Sequence, residues 1–333
     1  MVGMDLTWLD PDQPDARDVA GVVAVLEAAR AVDNPQFPPG SVTSFLGWVR
    51  YGWDGEAPDV AVVHQLGRVT GMLATRFPRW DNTHLALVRV VVDPRVRRRG
   101  LGRQLFEAGV ERARSAGRRV VCSWSVDQTA GVEFLKAIGL DPVLEEVFRR
   151  QDLLAVDWAR LDREYAAAES LAAGYELVRI PGPSPEQLLP AIAAMTEAIN
   201  DAPTDGLDFE DEVFTPERIR EYEGAQLATG RRLYRLVARE RETGVLAGHT
   251  VVGVEGEQPW RAGQHDTSVV GAHRGHRLGL LLKIGMMRWL REAEPQLRFI
   301  DTDNAASNAH MIRVNEALGY EVIAKTIEFQ RHL

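Results

Sequence analysis

Leu85-Ala-Leu-Val-Arg-Val-Val-Val92, then Asp93-Pro94, then Arg97-Arg-Arg-Gly100-Leu101-Gly102, and onward Leu105, Phe106 and Val110: this stretch decides how the chain reads. A β-branched run broken by Asp-Pro and followed by apolar residues three and four apart predicts strand, turn, helix. The glycines fall at the helix N-terminus. There the first N–H groups have no partner within the helix and the dipole is positive, so the loop suits an anion such as a pyrophosphate.

The pattern occurs twice. Thr267-Ser-Val-Val270 leads through Arg274-Gly-His-Arg-Leu-Gly279 into Leu280, Leu281, Leu282, Ile284, Met286, Met287 and Leu290. Arg97 to Arg274 and Gly102 to Gly279 are both offsets of 177. A second landmark, Ala137-Ile-Gly-Leu140, returns as Ala317-Leu-Gly-Tyr320 at an offset of 180. Two landmarks in the same order at nearly the same spacing indicate a duplicated domain.

The chain has 333 residues, 45% hydrophobic and 26% charged, which suits two globular domains of about 150 residues each. The expected boundaries are 1–153, a helical connector 154–173, and 174–333. In each copy the order is two helices, a hairpin, then strand-helix-strand-helix-strand, an α/β fold with a mixed, mostly antiparallel sheet flanked by helices. Pro14–Ala31 reads as the first helix of the first copy, and Ser184–Ile199 as its counterpart in the second.

A net charge of −9 argues against nucleic acid as a partner. No apolar run reaches the length of a membrane span, and the N-terminus lacks a secretion signal, so a cytoplasmic protein is expected. Cys122 is the single cysteine, which excludes an internal disulfide, and its apolar strand context reads as buried and inert. His273 and His276 lack the companions of a closed metal site, so no metal is expected. The oligomeric state is not legible.

Arg-x-x-Gly-x-Gly after a Val-x-Val strand, with a Leu-Gly or Ile-Gly step about forty residues on, resembles the GNAT superfamily of acyl-CoA N-acyltransferases, once in each half. The resemblance implies an acetyl-CoA-dependent N-acetyltransferase that passes its acyl group directly to a small-molecule amine. It also implies that the strand end Val90, Val91, Val92 and the loop Arg97, Arg98, Arg99, Gly100, Leu101, Gly102, Arg103 hold the cofactor. In the second copy the same roles fall on Thr267, Ser268, Val269 and on Arg274, Gly275, His276, Arg277, Leu278, Gly279, Leu280. Arg277 stands where the first copy has Gly100, and a non-glycine there is expected to require a negative φ. Asn304, Asn308 and Asn315 are the further cofactor candidates. The position of Asn315 commonly holds a tyrosine that protonates the leaving thiolate; here it is asparagine, and the first copy has Leu135. The missing tyrosines leave one alternative, a sensing or interaction module that binds acyl-CoA without turnover.

Direct transfer needs a base and no nucleophile. Strand parity puts His84, Ala86 and Val88 on one face of the first copy and Gly263, His265 and Thr267 on one face of the second. This makes His84 and His265 the candidate bases, with Asp266 beside them. Asp201, Asp205, Asp208, Glu210, Asp211 and Glu212 crowd the segment between the first two helices of the second copy, which predicts an acidic acceptor cleft and a cationic acceptor.

Overall fold

The computed structural model describes residues 5–333, which form two compact units. Unit 1 takes the chain through Glu146 together with Thr204–Asp211 and Ala324–Leu333; unit 2 takes Val147–Pro203 and Glu212–Ile323. The units are therefore not the contiguous blocks 1–153 and 174–333. Each is completed by a strand segment from the other half of the sequence.

Unit 1 runs β1 (Leu6–Trp8), α1 (Ala16–Asp33), α2 (Val42–Tyr51), β2 (Asp59–Gln65), β3 (Arg68–Arg76), β4 (Leu85–Val92), α3 (Leu101–Ser115), β5 (Val120–Val126), α4 (Ala130–Ala137) and the start of β6 (Asp141–Asp152). The strands β1 to β5 lie side by side in chain order. Residues 326–332 pair antiparallel with the full length of β5. Alternation assigns the two faces: Val60, Val62, Met72 and Ala74 pack on Val19, Val22, Phe45 and Val49 of α1 and α2. Ala86 and Val88 pack on Leu105, Phe106 and Val110 of α3. The capping box of Ser41 and Ser44 starts α2.

Unit 2 runs α5 (Trp158–Leu171), β7 (Tyr175–Pro181), α6 (Leu189–Thr196), α7 (Pro216–Ala228), β8 (Arg232–Glu240), β9 (Leu246–Val254), β10 (Arg261–Val269), α8 (Leu278–Ala293), β11 (Phe299–Ala305), α9 (Ala309–Ala317) and the start of β12 (Tyr320–His332). Its sheet order is β7-β8-β9-β10-β11, with residues 147–152 of β6 beside β11. The expected connector helix is part of this core: Leu161 and Ala168 of α5 are fully buried in one cluster with Leu281, Leu282 and Ile284 of α8. The helix expected over 184–199 is instead α6 between two short 3-10 turns. Pro190 explains the late start, because proline lacks an N–H and suits only the first turn of a helix.

The acidic segment is divided between the units. Residues 204–211 belong to unit 1, where the Gly206 N–H donates to the Val143 carbonyl, the Asp208 N–H to Gln330, and Asn82 exchanges two hydrogen bonds with the Glu210 backbone. Asp205, Asp208, Glu210 and Asp211 are thus part of unit 1, while Asp201 and Glu212 belong to unit 2.

Candidate active site

In each unit two parallel strands part to form a wedge. β4 pairs with β5 only at Leu85–Val120, Ala86–Val121 and Leu87–Cys122. β10 pairs with β11 only at Arg261–Phe299, Ala262–Ile300 and Gly263–Asp301. Beyond those pairs the backbone edges from Val88 to Val92 and from Gln264 to Val269 have no strand on the inner side, which leaves room for an extended ligand, although the Val92, Asp266 and Val269 carbonyls already accept from side chains. At the open end each wedge meets a helix N-terminus, of α3 or of α8, 15 and 16 residues long, and neither carries a side-chain cap. Three N–H groups at each helix start are thus left for an anion.

The two loops share one backbone. Left-handed φ angles fall at Arg98 (65°) and Gly100 (86°) in the first, and at Gly275 (89°) and Arg277 (56°) in the second. Each loop has one glycine and one arginine in these positions, in opposite order. Arg277 thus does not take a negative φ; it accepts the left-handed conformation, at roughly 1–2 kcal/mol. An added Cβ at Gly100 meets no protein atom within 4 Å, so arginine there meets strain and no collision with the protein. Arg277→Gly is expected to stabilise the protein by about 1 kcal/mol, and Gly100→Ala to destabilise it by a similar amount, in chemical unfolding. The Arg277–Glu164 pair, at 3.8 Å with both partners exposed, subtracts little from that gain.

The leading arginine of each motif is committed to the protein. Arg97 donates to both oxygens of Asp33 and, through Nε, to the Val92 carbonyl. Arg274 repeats this with Asp201 and the Val269 carbonyl. Both tie the loop to the strand end. Arg95 is bound to Asp93, whose carboxyl it pulls down to about 2, and Arg103 reaches the Ala137 carbonyl. Among the arginines of the first loop, exposed Arg98 and Arg99 have no side-chain hydrogen bond to the described residues. His273 meets Tyr175 edge-on and His276 packs against it at a tilt, and the Tyr175 hydroxyl meets His273 Nδ1 at 3.0 Å.

The asparagines divide. Asn308 caps α9, accepting from the Met311 N–H. Asn315 is fully buried and accepts at 2.6 Å from Lys283 Nζ on α8, while its own amide donates at 2.7 Å to Asn304 Oδ1 on β11. Lysine can only donate, so it orients both amides and turns the Asn304 NH2 outward. Lys283 is 2% exposed and lies 5.1 Å from the Tyr320 ring, and burial pushes its ammonium down to about 7. Cys122 is buried and its thiol is pushed up to about 12.

His84 is buried before the first residue of β4, its Nε2 donating to the Asp208 carbonyl. Eight residues of strand, about 26 Å, separate it from Val92 at the loop end. It is not in the wedge. His265 is the extra residue of a β-bulge, since Gln264 pairs with Val252 and Asp266 with Val251. The expected alternation through Gly263, His265 and Thr267 therefore breaks. The imidazole sits over Gly253, where a Cβ would come within 2.7 Å of the ring, and Nδ1 and the Tyr222 hydroxyl share a hydrogen bond of 2.5 Å. Burial, aided by Arg231 and Arg235, pushes His265 down to about 3. Proton NMR is expected to show no His265 titration between about pH 5 and 8, against the ordinary value near 6.5.

Asp266 lies on the face turned to α6 and α7. Its Oδ2 accepts at 2.7 Å from Nε2 of His249, which is 1% exposed. His249 Nδ1 accepts at 2.7 Å from Arg235, whose other amino group bonds Glu223, and Glu223 in turn takes the Ser184 N–H and hydroxyl. Because arginine can only donate, the imidazole proton is on Nε2, facing Asp266. Asp266 Oδ1 is buried without a hydrogen-bond partner among the described residues. Sequence reading missed His249, Arg235, Glu223 and Lys283. At the matching position of β4, offset by 177, stands Arg89.

Residues 24–140 match the model of the Acetyltransferase (GNAT) family. Among solved structures, the chain is similar to a tandem GNAT protein from the clavulanic acid biosynthesis pathway, with 26% identity, 98% of each chain covered and a TM-score of 0.81. It is also similar to a GCN5-related N-acetyltransferase from Sphaerobacter thermophilus, with 17% identity, 98% of this chain and 95% of that chain covered, and a TM-score of 0.67. No curated protein matches the sequence.

Proposed function

From the match of residues 24–140 to the GNAT acetyltransferase family model and the likeness of the whole chain to the fold of a tandem GNAT protein, we propose an N-acetyltransferase that uses acetyl-CoA and a small amine and works in unit 2. One observation carries the assignment to unit 2: Asp266, bound by His249 on one oxygen, with the other oxygen buried and lacking a hydrogen-bond partner among the described residues, on the α6/α7 face beside the wedge.

The cofactor sites fit in both units. An uncapped helix N-terminus and an unpaired strand edge would receive a pyrophosphate and an amide-bearing arm, through the N–H groups of residues 101–103 and 278–280. Acetyl-CoA, when bound, supplies a thioester carbonyl open to an amine. The protein's part is orientation and proton movement. Asp266 Oδ1 attracts an acceptor that arrives as an ammonium ion and takes a proton from it as the nitrogen turns to attack. His249 and Arg235 hold the carboxylate in one orientation, since removing either would leave buried polar groups unpaired. The outward NH2 of Asn304 stands on the opposite wall, on β11, as a donor toward departing negative charge. His84 has no part in this reading, and His265 holds the bulge that displaces Asp266.

The charge of the acceptor rests on Asp266 and not on the acidic segment. Among the described residues no helix is long and apolar enough to cross a membrane, and use of acetyl-CoA fits a cytoplasmic setting. The test is thiol release from acetyl-CoA over a panel of cationic, neutral and anionic small molecules. Cationic amines are expected to be turned over, with a KM that rises with ionic strength. Equal turnover of neutral acceptors with no salt dependence would refute the charge assignment.

A further inference from the structure

In unit 1 the place matching Asp266 is taken by Arg89, on the α1/α2 face two residues past the last β4–β5 pair. Trp124 stands two residues past the same pair on β5 and is 43% exposed. The two therefore face one another across the widening gap. The Arg89 guanidinium carbon lies 5.5 Å from the Trp124 ring and 5.9 Å from the Trp48 ring of α2. Several other arginines over rings also have a carboxylate, as Arg112 has Asp59, Arg150 has Asp301 and Arg298 has Asp152, whereas Arg118 and Arg291 each lie over one ring without one among the described residues. Arg89 is exposed, stacked on two rings, and no described residue accepts a hydrogen bond from it.

We propose that this face of unit 1 is a binding site for a carboxylate carried on a flat or apolar body, with Arg89 gripping the carboxylate and Trp48 and Trp124 as the walls. Two indole rings border the guanidinium, and desolvation beside them lowers its pKa from the ordinary arginine value, so an arriving anion would offset a desolvation penalty. A planar fork with unused N–H groups matches both oxygens of a carboxylate, and the ordering of the fork is already accomplished in the free protein. Beneath it, Phe45, Met72 and Ala74 are buried apolar neighbours on the same face. The opposite charge at the matching position of unit 2 means that the two faces select different ligands. The site stands independently of the acyl-transfer reading, because it needs neither acetyl-CoA nor turnover.

The test uses the whole protein without acetyl-CoA and follows binding of benzoate and hexanoate by calorimetry, with benzamide, hexanamide and inorganic phosphate as comparisons. At least one carboxylate is expected to bind saturably, and its amide not. Arg89→Met is expected to weaken that binding by roughly 10- to 100-fold, and Trp124→Leu to weaken it as well, with both variants unfolding cooperatively near the wild-type midpoint. Retained binding in a folded Arg89→Met variant, equal binding of acid and amide, tighter binding of phosphate, or no saturable binding of either acid would overturn the proposal.

Discussion

Asp266→Asn lowers kcat/KM by on the order of 100- to 10,000-fold and leaves acetyl-CoA affinity near the wild-type value. The substitution keeps size and shape, so its effect is chemical. The amide has no charge to attract an ammonium ion and no capacity to take its proton. With His249 donating from Nε2, the variant presents its carbonyl oxygen there and turns its NH2 toward the place where Oδ1 lay free, so an acceptor meets a donor instead of an acceptor. Steady-state thiol release, with calorimetry of coenzyme A beside it, separates the two quantities. Unchanged turnover would remove Asp266 from the chemistry.

The second large effect is on stability and its pH dependence. Lys283 is 2% exposed, has Asn315 and the Tyr320 ring as neighbours, and burial pushes it from 10.5 to about 7. The unfolded chain therefore binds more protons than the folded one between about pH 7 and 10.5, and stability rises with pH across that window. Below about pH 7 the full penalty of the buried ammonium is present. The total change is on the order of 3–5 kcal/mol, with a slope of at most about 1.4 kcal/mol per pH unit. Lys283→Met is expected to abolish this slope. At neutral pH its net effect is smaller, because Asn315 loses a donor, about 1–3 kcal/mol, while the buried charge disappears. Denaturant unfolding of both proteins at several pH values between 6 and 10 measures the difference. Parallel pH curves would show that Lys283 titrates like a solvated lysine.

Much of the fold was readable from period and punctuation. The expected order of two helices and a hairpin holds in unit 1, where Val42–Tyr51 is the second helix and the strands on either side of Leu66-Gly67 form a hairpin whose turn has positive φ at both residues. The exchange of strands was not readable. The alternating patterns of β6 and β12 each suit the edge of β5 or of β11, so periodicity alone does not say which sheet a strand joins.

The loops show a different limit. The motif located both wedges, yet an arginine in a sequence does not declare its partner. Arg97 and Arg274 go to carboxylates brought by chain folding, Asp33 and Asp201, from far along the sequence. Parity failed at His265 because a single bulge inverts every side chain after it, and a bulge has no strong local signal when the neighbouring glycines Gly253 and Gly263 have other uses. The Glu223–Arg235–His249–Asp266 chain draws on one helix and three strands, and only the register of β8, β9 and β10 puts those residues side by side. Arg89 and Asp266 were visible at the same offset as the loops. Their opposite charge became informative once both were known to lie on the same face of the sheet.

The division of labour between the units is tested most directly by a crystal structure of the protein grown with acetyl-CoA. The account predicts a thioester in the unit 2 wedge, along the edge from Gln264 to Val269, with its carbonyl carbon about 3–3.5 Å from a position where an amine bonded to Asp266 Oδ1 would lie. A thioester held only in unit 1, with the unit 2 wedge closed by side chains, would contradict it.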